Sequence, residues 1–146
     1  MNAHDGRPVI VFYDGVCGLC DRLVQFLLKR DTQDQFRFAA LQSPVASVVL
    51  GRHGADPAEL NTLYVALNMN ESDERILNRS DAALHILRRL GGVWGAFARV
   101  GRAFPRVLRD AVYNTIARNR YRLFGQVEHC TIPNARDLEK FLDRPM

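Results

Sequence analysis

Five β-branched and aromatic residues, Val9-Ile-Val-Phe-Tyr13, are stopped by Asp14-Gly15, and Cys17-Gly-Leu-Cys20 follows at once. This junction constrains the fold more than any other stretch. The apolar run reads as a buried strand. Behind it, Leu19, Leu23, Phe26 and Leu27 recur at helical spacing, so residues 17–30 read as a helix that the two cysteines open. Phe36–Ala40 reads as a second strand. A strand-helix-strand unit of this kind takes a right-handed crossover between parallel strands.

The pattern continues without an internal repeat or a long linker. Ser43-Pro44 is an N-cap followed by proline at the first helical position, which predicts a helix over roughly 43–52 ending in Gly51 and Gly54. Thr62–Leu67 reads as a third strand, Asn68–Asp73 as a hairpin-type turn and Glu74–Asn78 as a short fourth strand. Ser80 is expected to cap a helix through Leu90 whose apolar face is Ala83, Leu84, Leu87 and Leu90, with Gly91-Gly92 ending it. A short apolar segment with Trp94 and Phe97 follows, then a long helix from about Pro105 to Phe124 and a last helix from Asn134 through Leu142. The order to residue 90 is β-α-β-α-β-β-α, the layout of a thioredoxin-like α/β core. We therefore expect one domain over 1–146, with the core in 1–90 and a helical extension in 91–146 packed on it.

Charge is unevenly placed. The chain carries 20 Lys and Arg against 16 Asp and Glu. Residues 99–124 hold seven Arg and one Asp, a net of +6, while the segments on either side are each at −1. The basic excess thus belongs to 26 residues rather than to the whole molecule. Taking 100° per residue with Leu108 as origin, Val112, Ile116 and Leu123 fall at about 40–80° and Tyr113, Ala117, Tyr121 and Phe124 at about 140–220°. Arg109 and Arg120 lie between these arcs, and Arg118 and Arg122 on the far side. A nucleic-acid or membrane-surface helix favours a single basic face. The divided arginines instead read as a packing helix whose long side chains cover apolar surface, and neither nucleic acid nor membrane is the expected partner.

The polar start, Met1 to Pro8, has no apolar h-region, and no stretch approaches the roughly 18 apolar residues of a membrane span. The expected location is cytoplasmic. In that reducing setting three cysteines do not make a disulfide scaffold, and a Cys-x-x-Cys pair reads as catalytic or metal-binding.

The chemistry of such a pair follows from its place. Unsatisfied N–H groups and the macrodipole at a helix N-terminus favour a thiolate, which is the nucleophile of disulfide exchange. Cys17, at that terminus, is the expected attacking thiol. Cys20, one helical turn on and on the same face, is placed to resolve a mixed disulfide. Asp14, at the strand end, is a candidate to relay protons to and from the thiols. Its other reading is the shaping of an Asp-Gly turn through loop N–H groups. The cysteines themselves would be the redox groups, so no separate cofactor and no metal is expected.

With these residues in view, the chain resembles the DCC family of thiol-disulfide oxidoreductases, named for an Asp-x-x-Cys-x-x-Cys motif that is here Asp14, Cys17 and Cys20. The likeness runs over roughly 9–133. It includes Phe12–Cys20, Phe36–Ser43, Ser80–Leu84, Leu90-Gly-Gly92 with Trp94, Arg109–Asn114, Ile116–Tyr121, Phe124-Gly125 and Cys130. The resemblance implies a thioredoxin-like fold and a dithiol/disulfide activity of protein-disulfide reductase type. The partners would be a disulfide-containing protein or a small thiol, together with an electron donor that the residues do not identify.

One departure stands out. Most of the wider superfamily place a cis-proline just before the third core strand, where it helps hold the substrate chain and keeps metal from the thiols. Here Leu60-Asn61-Thr62 occupies that place and Pro57 lies well upstream. This shifts the reading toward a small-thiol substrate or a bound metal. The alternative function is accordingly a zinc-binding or redox-sensing interaction module, with Cys130 and His129 joining Cys17 and Cys20 and the Arg-rich helix contacting a partner. Cys130 otherwise reads as a small buried hydrophobe or a third redox thiol, and His85, between Leu84 and Ile86, as a surface or packing residue.

Overall fold

The computed structural model describes residues 8–14, 18–31, 34–55, 63–68, 72–125 and 140–142. Strands β1 (Val9–Tyr13), β2 (Phe36–Ala40), β3 (Tyr64–Leu67) and β4 (Arg75–Asn78) form one sheet in the order β2-β1-β3-β4. β1 and β2 are parallel, with Val11 beside Phe38. β1–β3 and β3–β4 are antiparallel. Helices α1 (Gly18–Arg30), α2 (Pro44–Arg52) and α3 (Arg79–Leu90) complete the β-α-β-α-β-β-α order of a thioredoxin-like α/β fold.

Side-chain alternation along β1 explains why its sequence is apolar throughout. Val9, Val11 and Tyr13 point to one face, where they meet Val24 and Leu27 of α1 and Ala82 and Ile86 of α3. Ile10 and Phe12 point to the other, against Ala46, Val49 and Leu50 of α2. A central strand covered on both faces has no polar side to show. Phe38 of β2 belongs to the α1/α3 face and stacks at a tilt on Phe141, with ring centroids 5.3 Å apart.

The helix ends follow local chemistry. The Ser43 hydroxyl accepts from the Ala46 N–H at 3.3 Å and donates to the Ala40 carbonyl at 2.6 Å, with Pro44 starting α2 as expected. α3 departs from expectation at its start. Asn78 stands at the N-cap, without a side-chain cap bond, and Ser80 lies inside the helix, where it is buried. Arg79 takes a positive φ of 50° at this corner. The buried positions of α3 are Ser80, Ala82, His85 and Ile86 rather than the predicted Ala83, Leu84 and Leu87, which are half-buried. The reason is that α3 is packed on two sides. Ala82, Ile86 and Leu90 meet the sheet core, and Leu84 lies against Gly101 of the next helix. His85 is a packing residue. Gly91, at φ 70°, ends α3 in the left-handed region that favours glycine.

Beyond α3 the segment with Trp94 and Phe97 is a full helix, α4 (Gly92–Arg102). The predicted long helix over 105–124 is two, α5 (Arg106–Arg118) and α6 (Arg120–Phe124). Asn119 makes the break. Its side-chain N–H donates to the Thr115 carbonyl at 2.7 Å, satisfying an orphan acceptor of α5, while its own carbonyl accepts from Leu123 in α6. The helix predicted over 134–142 fails at its described end. Lys140–Leu142 run beside β2, with Phe38 N–H bonded to Lys140 O and Leu142 N–H to Phe38 O, both at 2.8 Å. Lys140 is held there by Asp31, whose carboxylate also accepts from the Gln35 and Phe36 N–H groups. Residues 134–139 lie outside the described set, as do Pro57, Leu60–Thr62, His129 and Cys130.

Candidate functional site

The candidate site sits where β1 gives way to α1. Asp14 follows Tyr13 directly and is only 2% exposed. Both oxygens of its carboxylate are engaged from different parts of the chain. The Gln42 side-chain N–H, from the turn after β2, donates to Oδ1 at 2.9 Å. The Tyr121 hydroxyl, from α6, donates to Oδ2. Burial of a carboxylate is tolerable only with such donors.

The parallel β1–β2 pairing brings Gln42 to the same end of the sheet as Asp14, since Tyr13 stands beside Ala40. Leu41 N–H bonds to Tyr13 O at 2.7 Å, which fixes the start of the Gln42 turn. α6 packs on α1 and carries Tyr121 inward. α5 is held to the core by the Tyr113 hydroxyl, which accepts from Leu63 N–H at 2.7 Å just before β3. The arc of Tyr113, Ala117 and Tyr121 is thus the inner one, and the aliphatic arc of Leu108, Val112, Ile116 and Leu123 faces outward.

Cys20 lies in the first turn of α1, half-buried and packed against the α1/α3 core. Cys17 lies outside the described residues. Of the three residues singled out in the sequence, Asp14 and Cys20 are therefore located at adjoining ends of β1 and α1. Gln42 and Tyr121 were not singled out. Both fall in stretches that carry the family resemblance, Phe36–Ser43 and Ile116–Tyr121, and Tyr121 also shares an arc with Tyr113 and Ala117.

A second polar cluster pins the helical segment to α3. The Ser80 hydroxyl donates to Asp110 of α5. Arg109 binds Asp81 at 3.0 Å, and Arg106 reaches Asp81 at 3.1 Å. The Ser80 hydrogen bond, aided by Arg106 and Arg79 against an opposing effect of burial, holds the Asp110 carboxyl below the usual range. Near Lys140, Arg37 bonds Asp34 and lowers its carboxyl likewise. Trp94 of α4 meets Phe26 of α1 edge-on at 5.0 Å, with the Arg30 guanidinium 4.0 Å above the Phe26 ring.

Among the described residues, no group of three or more His, Cys, Asp or Glu is placed to hold a metal ion. No helix among them is long and apolar enough to cross a membrane.

Comparison with known proteins bears on the same region. The family model for DCC1-like thiol-disulfide oxidoreductases matches residues 11–126, from β1 through the end of α6. A Bacillus subtilis (strain 168) protein, "Uncharacterized protein YuxK", is 35% identical over 133 residues, 91% of this chain and 93% of that protein. The Arabidopsis thaliana "DCC family protein At1g52590, chloroplastic" is 32% identical over 128 residues, 88% of this chain and 71% of that protein. No solved structure matches. With that match running from Val11 in β1 past the helix that carries Tyr121, over more than half of its length, the chain belongs to the DCC1-like thiol-disulfide oxidoreductase family.

Proposed function

We propose that the protein is a thiol-disulfide oxidoreductase that works through Cys17 and Cys20, with Asp14 as its proton relay. The Cys17 thiolate attacks one sulfur of a substrate disulfide. The substrate S–S bond breaks, its leaving sulfur takes up a proton, and a mixed disulfide forms on Cys17. Cys20 gives its proton to the Asp14 carboxylate and attacks the Cys17 sulfur. A Cys17–Cys20 disulfide forms, and the second substrate sulfur leaves as a thiol with the proton that Asp14 passes on. Two electrons have passed from the pair to the substrate, and an external dithiol donor returns them. Gln42 and Tyr121 act as positioning residues that hold both oxygens of Asp14. The substrate class is a disulfide-bearing protein or a small thiol's disulfide, in a reducing cytoplasm.

What supports this reading is the Asp14, Cys17, Cys20 spacing in the sequence of a chain of this family, together with an Asp14 that is buried and bonded at both oxygens. A residue used only to shape an exposed turn would not need donors from β2's turn and from α6.

Intact-mass analysis after thiol alkylation, with and without prior reduction, combined with a zinc assay on the native protein, tests it. Reversible gain and loss of one disulfide at 17–20 in metal-free protein is the expected result. Stoichiometric zinc, or no disulfide at any physiological redox poise, overturns it. A Cys17→Ser variant that still reduces disulfides overturns the nucleophile assignment.

A further inference from the structure

Ten large apolar side chains are exposed among the described residues, and nine of them fall between positions 93 and 123. Such a concentration is not the usual scatter of single exposed hydrophobes. On α4, Val93, Phe97 and Val100 lie within about 60° of arc at 100° per residue. On α5, Leu108, Val112 and Ile116 lie within about 80° by the same rotation. Phe104, half exposed, lies in the turn between the two helices, and Val107, in the first turn of α5, is 83% exposed.

The same segment holds the chain's basic excess. Arg106 and Arg109 are matched by Asp81 and Asp110. Arg99, Arg102, Arg118 and Arg122 are exposed and form no ion pair among the described residues. The surface therefore joins projecting aliphatic and aromatic groups to uncompensated positive charge.

Charge and shape choose the occupant. A second copy docked through this face would bring one +6 segment against another. A nucleic acid offers phosphates but nothing for nine apolar side chains. An acidic helix would need a groove lined by those side chains. The cavity beside α4, of about 320 Å³, is instead lined by Arg88, Gly91, Gly92, Gly95, Arg99 and Arg102 together with the buried Ala98, and by none of the exposed apolar residues. At 45–83% exposure, the nine apolar side chains project from the surface. A fluid acyl layer takes projecting side chains without a matching groove, and acidic headgroups supply the missing counter-charge. We propose that α4, α5 and the turn between them form a peripheral docking surface for anionic phospholipid bilayers. The arginines need not form one stripe for this: on α4, Arg99 and Arg102 lie about 100° or more from Val93, Phe97 and Val100 by the same rotation, so the apolar residues alone set the face there, and the exposed Arg118 and Arg122 carry the charge beyond it.

Vesicle flotation of the full chain tests the assignment, with phosphatidylcholine alone compared with phosphatidylcholine mixed with phosphatidylglycerol. Flotation with the mixed vesicles should exceed that with neutral ones by on the order of tenfold and should fall with added salt. The double variant Val107→Asp/Val112→Asp, both positions exposed, should lose on the order of tenfold in binding. Arg118→Glu/Arg122→Glu should lose the preference for anionic vesicles, with an unchanged circular-dichroism spectrum showing the fold intact. Absence of flotation with mixed vesicles overturns the proposal, as does undiminished binding by the Val107→Asp/Val112→Asp protein. A wild-type dimer in equilibrium sedimentation that the same variant makes monomeric also overturns it, by giving the face to a second copy.

Discussion

All five residues of β1 are buried, whereas α5 buries a single residue of its 13, Ala117. The family model matches β1 from Val11 onward and all of α5, yet the two are held by different forces. β1 is fixed by apolar contacts on two faces. α5 is fixed by a few directed bonds: Tyr113 to Leu63, Ser80 to Asp110 and Arg109 to Asp81. Apolar burial is tolerant of small shifts and sums over many atoms, while a directed bond either exists or does not. The helical segment can therefore present an apolar outer face and still hold Tyr121 at Asp14.

The largest effect should come from the sheet side. Phe38 is fully buried and touches Phe141. Phe38→Ala should cost about 3–5 kcal/mol in unfolding free energy, read from chemical denaturation. An exposed α5 change such as Val107→Ser should move the same curve by no more than about 0.5 kcal/mol. Equal losses at the two positions would erase the contrast between them.

Tyr121→Phe probes the point where the regions meet. Removing a hydrogen bond to a charged group costs about 1.5–3 kcal/mol, and Asp14 keeps its Gln42 donor. The double cycle with Asp14→Asn should show strong coupling, because the two side chains touch. If Asp14 relays protons, Tyr121→Phe should also displace the pH profile of disulfide reduction. A loss of stability with an unmoved profile would leave Tyr121 as a structural tie alone.

Ser80→Ala should have a smaller effect, of about 1 kcal/mol, and one that depends on acid. The Asp110 carboxyl titrates below its ordinary value of 3.8 in the folded protein because Ser80 donates to it. A depressed folded-state value gives stability that is complete above the unfolded-state value and is lost as pH falls through the folded one. The gap between wild type and Ser80→Ala should be constant from neutral pH down to about pH 5 and close below about pH 4. Denaturation curves across that range measure it.

The regions also differ in how well their sequences announced them. The seven-element order of the core was legible because β1 and β2 are short apolar runs, and Ser43-Pro44 and Gly91 carry local end signals. The reading weakened wherever a helix had two apolar sides. In α3 the choice between the Ala82/Ile86 and Leu84/Leu87 faces depends on α4 lying against one of them, which periodicity cannot show. In α5 both arcs were visible, but only the partners of Tyr113 and Tyr121 decide which is inner. The break at Asn119 rests on one side-chain bond to Thr115. Spacing singled out Asp14, Cys17 and Cys20, of which Asp14 and Cys20 are among the described residues. Gln42 and Tyr121, 28 and 107 residues from Asp14, come together only through the parallel pairing and the packing of α6 on α1.

The smallest effect tests how compliant the α3–α4 contact is. At Gly101 an added methyl would lie 2.8 Å from Leu84 Cδ2, too close unless Leu84 moves. Leu84 is half-buried, and the clash involves the far end of its side chain, so a rotamer shift can relieve it. Against that cost stands the helix preference of alanine over glycine, about 1 kcal/mol near the end of α4. Gly101→Ala should therefore change stability by less than about 1 kcal/mol in either direction, read by denaturation with Trp94 fluorescence as the local probe. A loss of several kcal/mol would mean that α3 and α4 interlock as rigidly as the sheet core. The separation between a tightly packed sheet and a more loosely tied helical segment would then fail at the one place where the two are in broadest contact.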